Sequence, residues 1–463
     1  MALSLNSPEA RDIAYHIHAQ TNLRLHEEVG PSIIVKGDGP YVVDSEGRKL
    51  LDAMSGMWCT ALGYSDRALI DAGKAQLDSL PFFQTFAHKS HLPVIDLAEA
   101  LIERLPDHLS RVCFSSSGSE AVESAIKFAW YYHHGKGEPD RKKIISRQRA
   151  YHGSTIVAGS LTGLPHMHKS FNLPVDFVVH ADCPHFYRNA LEGESESQFA
   201  HRLAVQLEAL IVEEKPETIA AFIAEPVMGT GGVVVPPRGY FEAVQPILRK
   251  YGILLIADEV ICGFGRTGKY WGSQTFELKP DMITCAKGLT SAYAPLSAVA
   301  VSEDIYIAMR EECDRIGLFG HGFTYGGHPL GAAIACAALR RYDEIDAPAR
   351  AAQLGGQLLT GLRARADHPL VGEVRGIGFM AGLEVVRDRD TKATFDPAMK
   401  IGARIQDAIL DRGVIVRALG DTIVFAPPYV CTEADVRKIV DAVEAALDDT
   451  YRHVEEGSAK TTP

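Results

Sequence analysis

The chain has 463 residues, enough for roughly two to three domains and for a core that needs no disulfide or metal staple. Its charged and apolar fractions, 23% and 46%, are those of an ordinary soluble globular protein. A net charge of −12 argues against nucleic acid or an anionic membrane surface as the main partner, while leaving room for a local basic pocket for a phosphate.

Residues 1–30 are polar and read as helical or irregular. Residues 33–52 read as a meander of short strands: Ile33–Val35, Tyr41–Asp44, a turn at Glu46-Gly47, and Lys49–Asp52. From about residue 65 helices and strands alternate, with strands expected at 111–114, 142–146, 176–179, 219–224, 253–257, 282–285 and 297–301. Val122, Ala125, Ile126 and Ala129 keep the spacing of one buried helix face. Such alternation predicts an α/β fold, a mostly parallel sheet covered by helices. Past about 330 the register changes. Ala332–Tyr342 reads as an apolar helix, followed by shorter strands at 378–384, 414–417 and 422–425 and an amphipathic helix from about 433. That is a smaller α+β domain, which the N-terminal meander completes. The expected organisation is an N-terminal segment over 1–60 that contributes to the small domain, a large domain over 61–330, a C-terminal small domain over 331–455, and a disordered polar tail over 456–463.

The eight cysteines form no Cys-x-x-Cys pair, and several, such as Cys113 between Val112 and Phe114, sit inside apolar runs. They read as reduced, buried thiols of a cytoplasmic protein. Glu9, Arg11 and Asp12 leave no apolar stretch for a signal peptide, and no run reaches the length of a membrane span. His16/His18, His133/His134 and His166/His168 lack cysteine or carboxylate partners at metal spacing, so no metal site is expected.

Chemistry concentrates at strand ends. The run Ile253–Ala257 ends on Asp258, and Met282–Ala286 ends on Lys287. Lys287 at the carboxyl end of a buried strand would be desolvated, which lowers its pKa and favours a free amine for attack on a carbonyl. Asp258 needs a cationic or hydrogen-bonding partner, and a pyridinium N–H is one. The pair suits a lysine that forms a Schiff base with an aldehyde cofactor and a carboxylate that keeps that cofactor's pyridine nitrogen protonated. Taken singly, Lys287 reads more often as a surface lysine in a strand-to-helix loop, and Asp258 also reads as an internal salt bridge or a metal carboxylate, the latter without a Gly-x-x-x-x-Gly-Lys-Ser/Thr phosphate loop to support it. Ser115–Glu120 follows one strand and opens a helix, so its N–H groups and hydroxyls suit an anion, or simple N-capping. Tyr151-His152-Gly153 follows another strand, and its aromatic ring suits stacking on a planar group, or an ordinary loop. Gly263-Phe264-Gly265-Arg266-Thr267-Gly268 fits a dinucleotide fingerprint, but Asp258-Glu259 precedes it and Lys269–Gly272 does not open a helix.

Taken together, Ser117–Ala121, Tyr151–Gly153, Glu225-Pro226, Asp258–Val260, Gly263–Gly268, Lys287-Gly288 and Phe323–Pro329 resemble the class III aminotransferases from about 30 to 445. These are pyridoxal 5'-phosphate (PLP) enzymes of fold type I, the aspartate-aminotransferase-like fold. Asp52–Cys59, Phe82–Phe86 and Arg417 with Gly420-Asp421 resemble the omega-aminotransferases that use pyruvate as amino acceptor. The resemblance implies that 61–330 binds the cofactor and that Lys287 is both Schiff-base residue and proton carrier. It implies Asp258 on the pyridine nitrogen, Val260 and Tyr151 on the two ring faces, and Glu225 in the network behind. Ser117, Gly118 and Ser119 would hold the phosphate, with Thr324 arriving from a second subunit of a homodimer or dimer of dimers. Trp58, Phe86 and Tyr151 would line the substrate pocket, and Arg417 would bind the acceptor's carboxylate and swing away for an uncharged amine. The implied reaction moves an amino group from a primary amine or omega-amino acid to pyruvate by a ping-pong cycle. Ala292 and Ser297 stand where the family usually has glycine. Other PLP chemistry on this fold (aminomutase, racemase, decarboxylase), an NAD dehydrogenase built on Gly263–Gly268 and an inactive relative are the alternatives.

Overall fold

The computed structural model describes residues 6–459, with side chains to 456. Its centre is a seven-stranded sheet in the order Leu109–Ser115, Ser297–Ser302, Met282–Cys285, Leu254–Asp258, Ile219–Ala224, Lys143–Arg147, Val178–Ala181. All neighbours pair in parallel except Ser297–Ser302, which runs antiparallel to both strands beside it. Every residue of Ile219–Ala224, Leu254–Asp258 and Met282–Cys285 is buried. Strands covered on both faces lose the alternation of a one-sided sheet, which is why they read as continuous apolar runs. Helix Gly118–Gly135 lies on one face through Val122, Ala125, Ile126 and Ala129, all buried. This is the fold type I architecture, a mostly parallel sheet flanked by helices.

Two smaller sheets lie outside it. One joins Ile34–Asp38, Tyr41–Asp44 and Lys49–Asp52 to Val414–Ile415, so the N-terminal meander pairs directly with the C-terminal segment. The other is antiparallel, in the order Val371–Ile377, Met380–Val385, Thr422–Phe425, Arg417–Leu419. Helix Ala347–Arg363 packs on that hairpin through a glycine: a Cβ added to Gly355 would lie 1.6 Å from the Gly378 carbonyl oxygen. Gly355→Ala is expected to cost about 3 kcal/mol, because backbone must move against backbone. Thermal unfolding reads it, and an unchanged midpoint would refute the tight contact.

Two expectations change. The last helix, Glu433–Ala459, runs on through residues expected to be disordered, since Glu455 and Glu456 extend a helix already anchored upstream; 460–463 lie outside the described residues. The histidines at 16 and 18 do have a carboxylate partner. Asp12 lies 3.3 Å from His16 Nδ1, 2.7 Å from His18 Nε2 and 3.1 Å from His26 Nε2. Asp12 and His16 stand one turn apart at the end of Pro8–Tyr15, and the chain returns through Leu23–Val29 to bring His26 to the same group.

The glycine pattern at 263–268 is a joint between the parts. Arg266 is buried, donating to the Pro427 carbonyl at 2.5 Å and the Ser55 hydroxyl at 2.8 Å, with its guanidinium 4.9 Å from the Tyr429 ring centre. A Cβ at Gly263 would meet the Glu259 carbonyl oxygen and Trp271 at 2.9 Å. The glycines serve close packing, and no helix opens on them to receive a pyrophosphate.

Candidate active site

The carboxyl ends of the sheet's co-directional strands converge on one side, where ligands of open α/β sheets bind. Ile219–Ala224 delivers Glu225, Leu254–Asp258 ends on Asp258, and Met282–Cys285 delivers Lys287. Asp258 pairs with Thr284 in the ladder, so the two charged residues stand at adjacent strand ends. Ser117, Gly118, Ser119, Tyr151, Glu225, Asp258, Val260 and Lys287 line one cavity of about 440 Å³. Trp58, Tyr151, Lys287 and Arg417 line an adjoining cavity of about 460 Å³. Tyr151 and Lys287 are common to both.

Asp258 is only 3% exposed, yet its carboxylate is well provided for. One oxygen lies 2.7 Å from His152 Nδ1; the other accepts from Val260 N at 3.1 Å and Thr284 Oγ1 at 3.2 Å. Buried carboxylates persist only with such partners. Behind it, Glu225 accepts from Tyr151 N at 3.1 Å and Gly229 N at 2.9 Å. Burial pushes the Glu225 carboxyl above the usual range, opposed by His152 and reinforced by Asp258. Burial pushes the Lys287 ammonium below its usual range, and the nearby anionic groups only partly restore it. Lys287 also carries φ +38°, a left-handed conformation that costs about 1–2 kcal/mol for a residue with a side chain. Gly288 makes the turn possible, since a Cβ there would lie 2.8 Å from Phe264.

In the same lining Ser117 caps helix Gly118–Gly135, accepting from Glu120 N at 3.2 Å. Capping leaves room for an anion here, because the cap engages one N–H while others at the helix start remain. Ser119 Oγ accepts from Ser154 N at 3.1 Å, tying the helix start to the Tyr151 loop. A Cβ at Gly118 would stand 3.3 Å from Val260, so glycine keeps floor and helix in contact. Ser297, one of the departures from the family pattern, donates to the Ser117 carbonyl at 2.7 Å and braces this loop. Ala292, the other, sits at φ +66°, where glycine is the cheaper residue.

Phe86 and Thr324 line neither cavity. Both are exposed, and Phe86 packs on Gly322 beside the loop that carries Thr324. Sequence reasoning missed His152, although it adjoins Tyr151, and Thr284, which only the strand register reveals. It also missed Arg149, Gln20 and Thr230 on the wall of the second cavity.

This fold and this convergence of lysine, carboxylate and helix start define a fold type I PLP transferase. The aminotransferase class-III family model matches residues 25–447, and the chain belongs to that family. Gamma aminobutyrate transaminase 1, mitochondrial, of Solanum lycopersicum is 44% identical over 430 residues, covering 93% of this chain and 84% of that protein. Vanillin aminotransferase of Capsicum annuum is 43% identical over 430 residues, covering 93% and 94%. The solved omega transaminase of Pseudomonas jessenii in complex with PMP superposes with a TM-score of 0.96 at 47% identity, covering 98% of this chain and 100% of that one. The protein is a PLP-dependent aminotransferase. Its residues fit the cofactor: one cavity is lined by a buried carboxylate, a helix start, Val260, Tyr151 and an amine of lowered pKa.

Proposed function

We propose that this aminotransferase is an omega-transaminase that moves an amino group from a primary amine or omega-amino acid to pyruvate, giving alanine by a ping-pong cycle. PLP, when bound, supplies the aldehyde that takes the amine nitrogen and the ring that draws electron density from the substrate carbon. Lys287 carries the proton to and from that carbon, Asp258 holds the ring nitrogen charged, and Ser117, Gly118 and Ser119 hold the phosphate. Tyr151 and Val260 confine the ring, with Glu225 fixing the Tyr151 loop from behind.

Arg417 is the observation that carries the pyruvate reading. Its guanidinium lines the second cavity with Nη1 2.8 Å from Met57 Sδ, and no carboxylate among the described residues lies within ion-pair reach. Burial pushes its pKa down, and the ring hydroxyl of Tyr151 only partly offsets this. Such a group gains most from an incoming carboxylate, by a bidentate pair. Arg417→Leu is expected to raise the KM for pyruvate about 100-fold, the worth of two charged hydrogen bonds, while kcat/KM for a neutral amine changes little. Chromatography of alanine formed from pyruvate and an amine tests the whole reading. A rearranged, racemised or decarboxylated product in place of alanine would sink it.

We further propose a homodimer, alone or as a dimer of dimers, whose sites are shared across the interface. Thr324 and Phe86 support it: both are exposed, beside Phe82, Phe83 and Tyr325, which form an uncovered aromatic surface. A second copy seated there would bring Thr324 to a phosphate site. The cytoplasm is the proposed compartment, where eight free thiols are chemically at home.

A further inference from the structure

We infer that Arg149 is a second carboxylate site, which takes the far acid group of omega-amino acid donors while Arg417 takes the acid group of pyruvate. The inference rests on the omega-transaminase reading and names its preferred donor class. That class is amines bearing a carboxylate several carbons away.

Arg149 follows the strand Lys143–Arg147 in the loop that leads to Tyr151. Its backbone is left-handed, at φ +67°, and is pinned there. Arg149 N donates to the Gly163 carbonyl and Gly163 N to the Ala150 carbonyl, each at 2.8 Å. A Cβ on Gly163 would lie 2.3 Å from the Arg147 carbonyl oxygen, so the loop has no slack. Glycine or asparagine would hold this conformation at lower cost. The turn itself therefore does not call for arginine; the side chain does.

That side chain is half-buried in the wall of the same cavity as Arg417 and Lys287. One nitrogen, Nη2, donates to the Gly231 carbonyl at 2.9 Å, which orients the guanidinium and leaves its other donors uncommitted. Among the described residues no carboxylate forms an ion pair with it. Its neighbours differ: Arg188 pairs with Glu384, and Arg375 with Glu373 and Glu384. Behind Arg149 a second groove does contain Glu384 and Asp421, but Glu384 is held by those two arginines and Asp421 accepts from Gly402 N at 2.9 Å. Among the described residues no Asp or Glu lines the cavity that Arg149 shares with Arg417. In a chain of net charge −12, a half-buried cavity with two guanidinium groups and, among the described residues, no carboxylate is built for anionic ligands. One cation suffices for pyruvate. Two sites suit an enzyme whose two half-reactions bring acid groups at different distances from the reacting nitrogen.

The test compares wild type, Arg149→Met and Arg149→Lys as holoenzymes, with pyruvate as acceptor and 4-aminobutyrate or n-butylamine as donor. These donors share a carbon chain and differ in the acid group. Arg149→Met is expected to lower kcat/KM for 4-aminobutyrate about 30-fold while leaving n-butylamine and the KM for pyruvate within about threefold. Arg149→Lys recovers part of the loss, since it keeps the charge but not the fork. Binding of butyrate, an unreactive acid, is read in parallel by isothermal titration and should weaken in Arg149→Met. Equal losses for both donors would mean a merely structural role, and an unchanged 4-aminobutyrate rate with unchanged butyrate binding would overturn the site. Loss of 4-aminobutyrate activity in Arg417→Leu but not in Arg149→Met would assign both acids to Arg417 and likewise overturn it. If wild type makes no alanine from either amine, the omega-transaminase reading fails, and the butyrate titration still decides whether Arg149 binds a carboxylate.

Discussion

Lys287→Ala should lose turnover altogether, with alanine formation falling about 10⁴-fold or more. On the proposed mechanism two functions disappear with one amine: the nucleophile for the cofactor aldehyde and the group that moves the proton at the substrate carbon. No neighbour can substitute. Among the described residues no other lysine lines either cavity, and Arg417 cannot give up a proton at working pH. The fold should survive, because the turn is held without the lysine side chain: Leu289 N donates to the Ala286 carbonyl at 2.8 Å, and the Tyr342 hydroxyl donates to the Gly288 carbonyl at 2.6 Å. Stability gives a second readout. Burial depresses the Lys287 ammonium from its usual 10.5, whereas the unfolded chain keeps its proton up to about that pH. Between the folded value and about 10.5 the unfolded state binds more protons, so cofactor-free wild type should gain stability as pH rises through that window. The alanine variant should lack this gain. Thermal midpoints across pH 6–10 check the sign. Wild-type-like turnover in the variant would refute the assignment of Lys287.

Much of this was legible because burial writes itself into sequence. Strands 219–224, 254–258 and 282–285 are covered on both faces, so they read as apolar runs, and a charged residue at the end of such a run has to be at a functional edge or paired. Strand Val371–Ile377 was missed for the opposite reason. Glu373 and Arg375 interrupt it, and their compensation, the ion pair between them and the links to His185 and Glu384, is tertiary. His152 was read past because a histidine's partner is invisible until the strand carrying Asp258 is placed beside it. Arg149 has no sequence signature at all: an arginine in a polar loop looks solvated until the turn at φ +67° aims it inward. Thr324 sits on the exposed surface of a single chain, so neither sequence periodicity nor the fold of one chain explains it.

Asp258→Asn carries the second large effect, an expected loss of about 10³-fold in kcat with the fold intact. The substitution keeps shape and most hydrogen bonds. The amide oxygen can still accept from Val260 N and Thr284 Oγ1, and the amide nitrogen can donate to His152 Nδ1 once that ring takes the other tautomer. What vanishes is the negative charge, and in a site this dry a charge on the ring nitrogen is worth far more than in water. On the proposed mechanism Asp258 would keep the nitrogen of bound PLP protonated and so supply its electron-drawing chemistry, which an uncharged asparagine would not do. His152→Gln should fall much less, about tenfold, because it removes an orienting partner and leaves the charge. The ratio between the two variants therefore separates charge from positioning. Steady-state kcat with a saturating amine reads both. If Asp258→Asn stayed within tenfold of wild type, or if His152→Gln matched its loss, the carboxylate would be a packing element, and the strand-end pair at 258 and 287 would not be the centre of the chemistry.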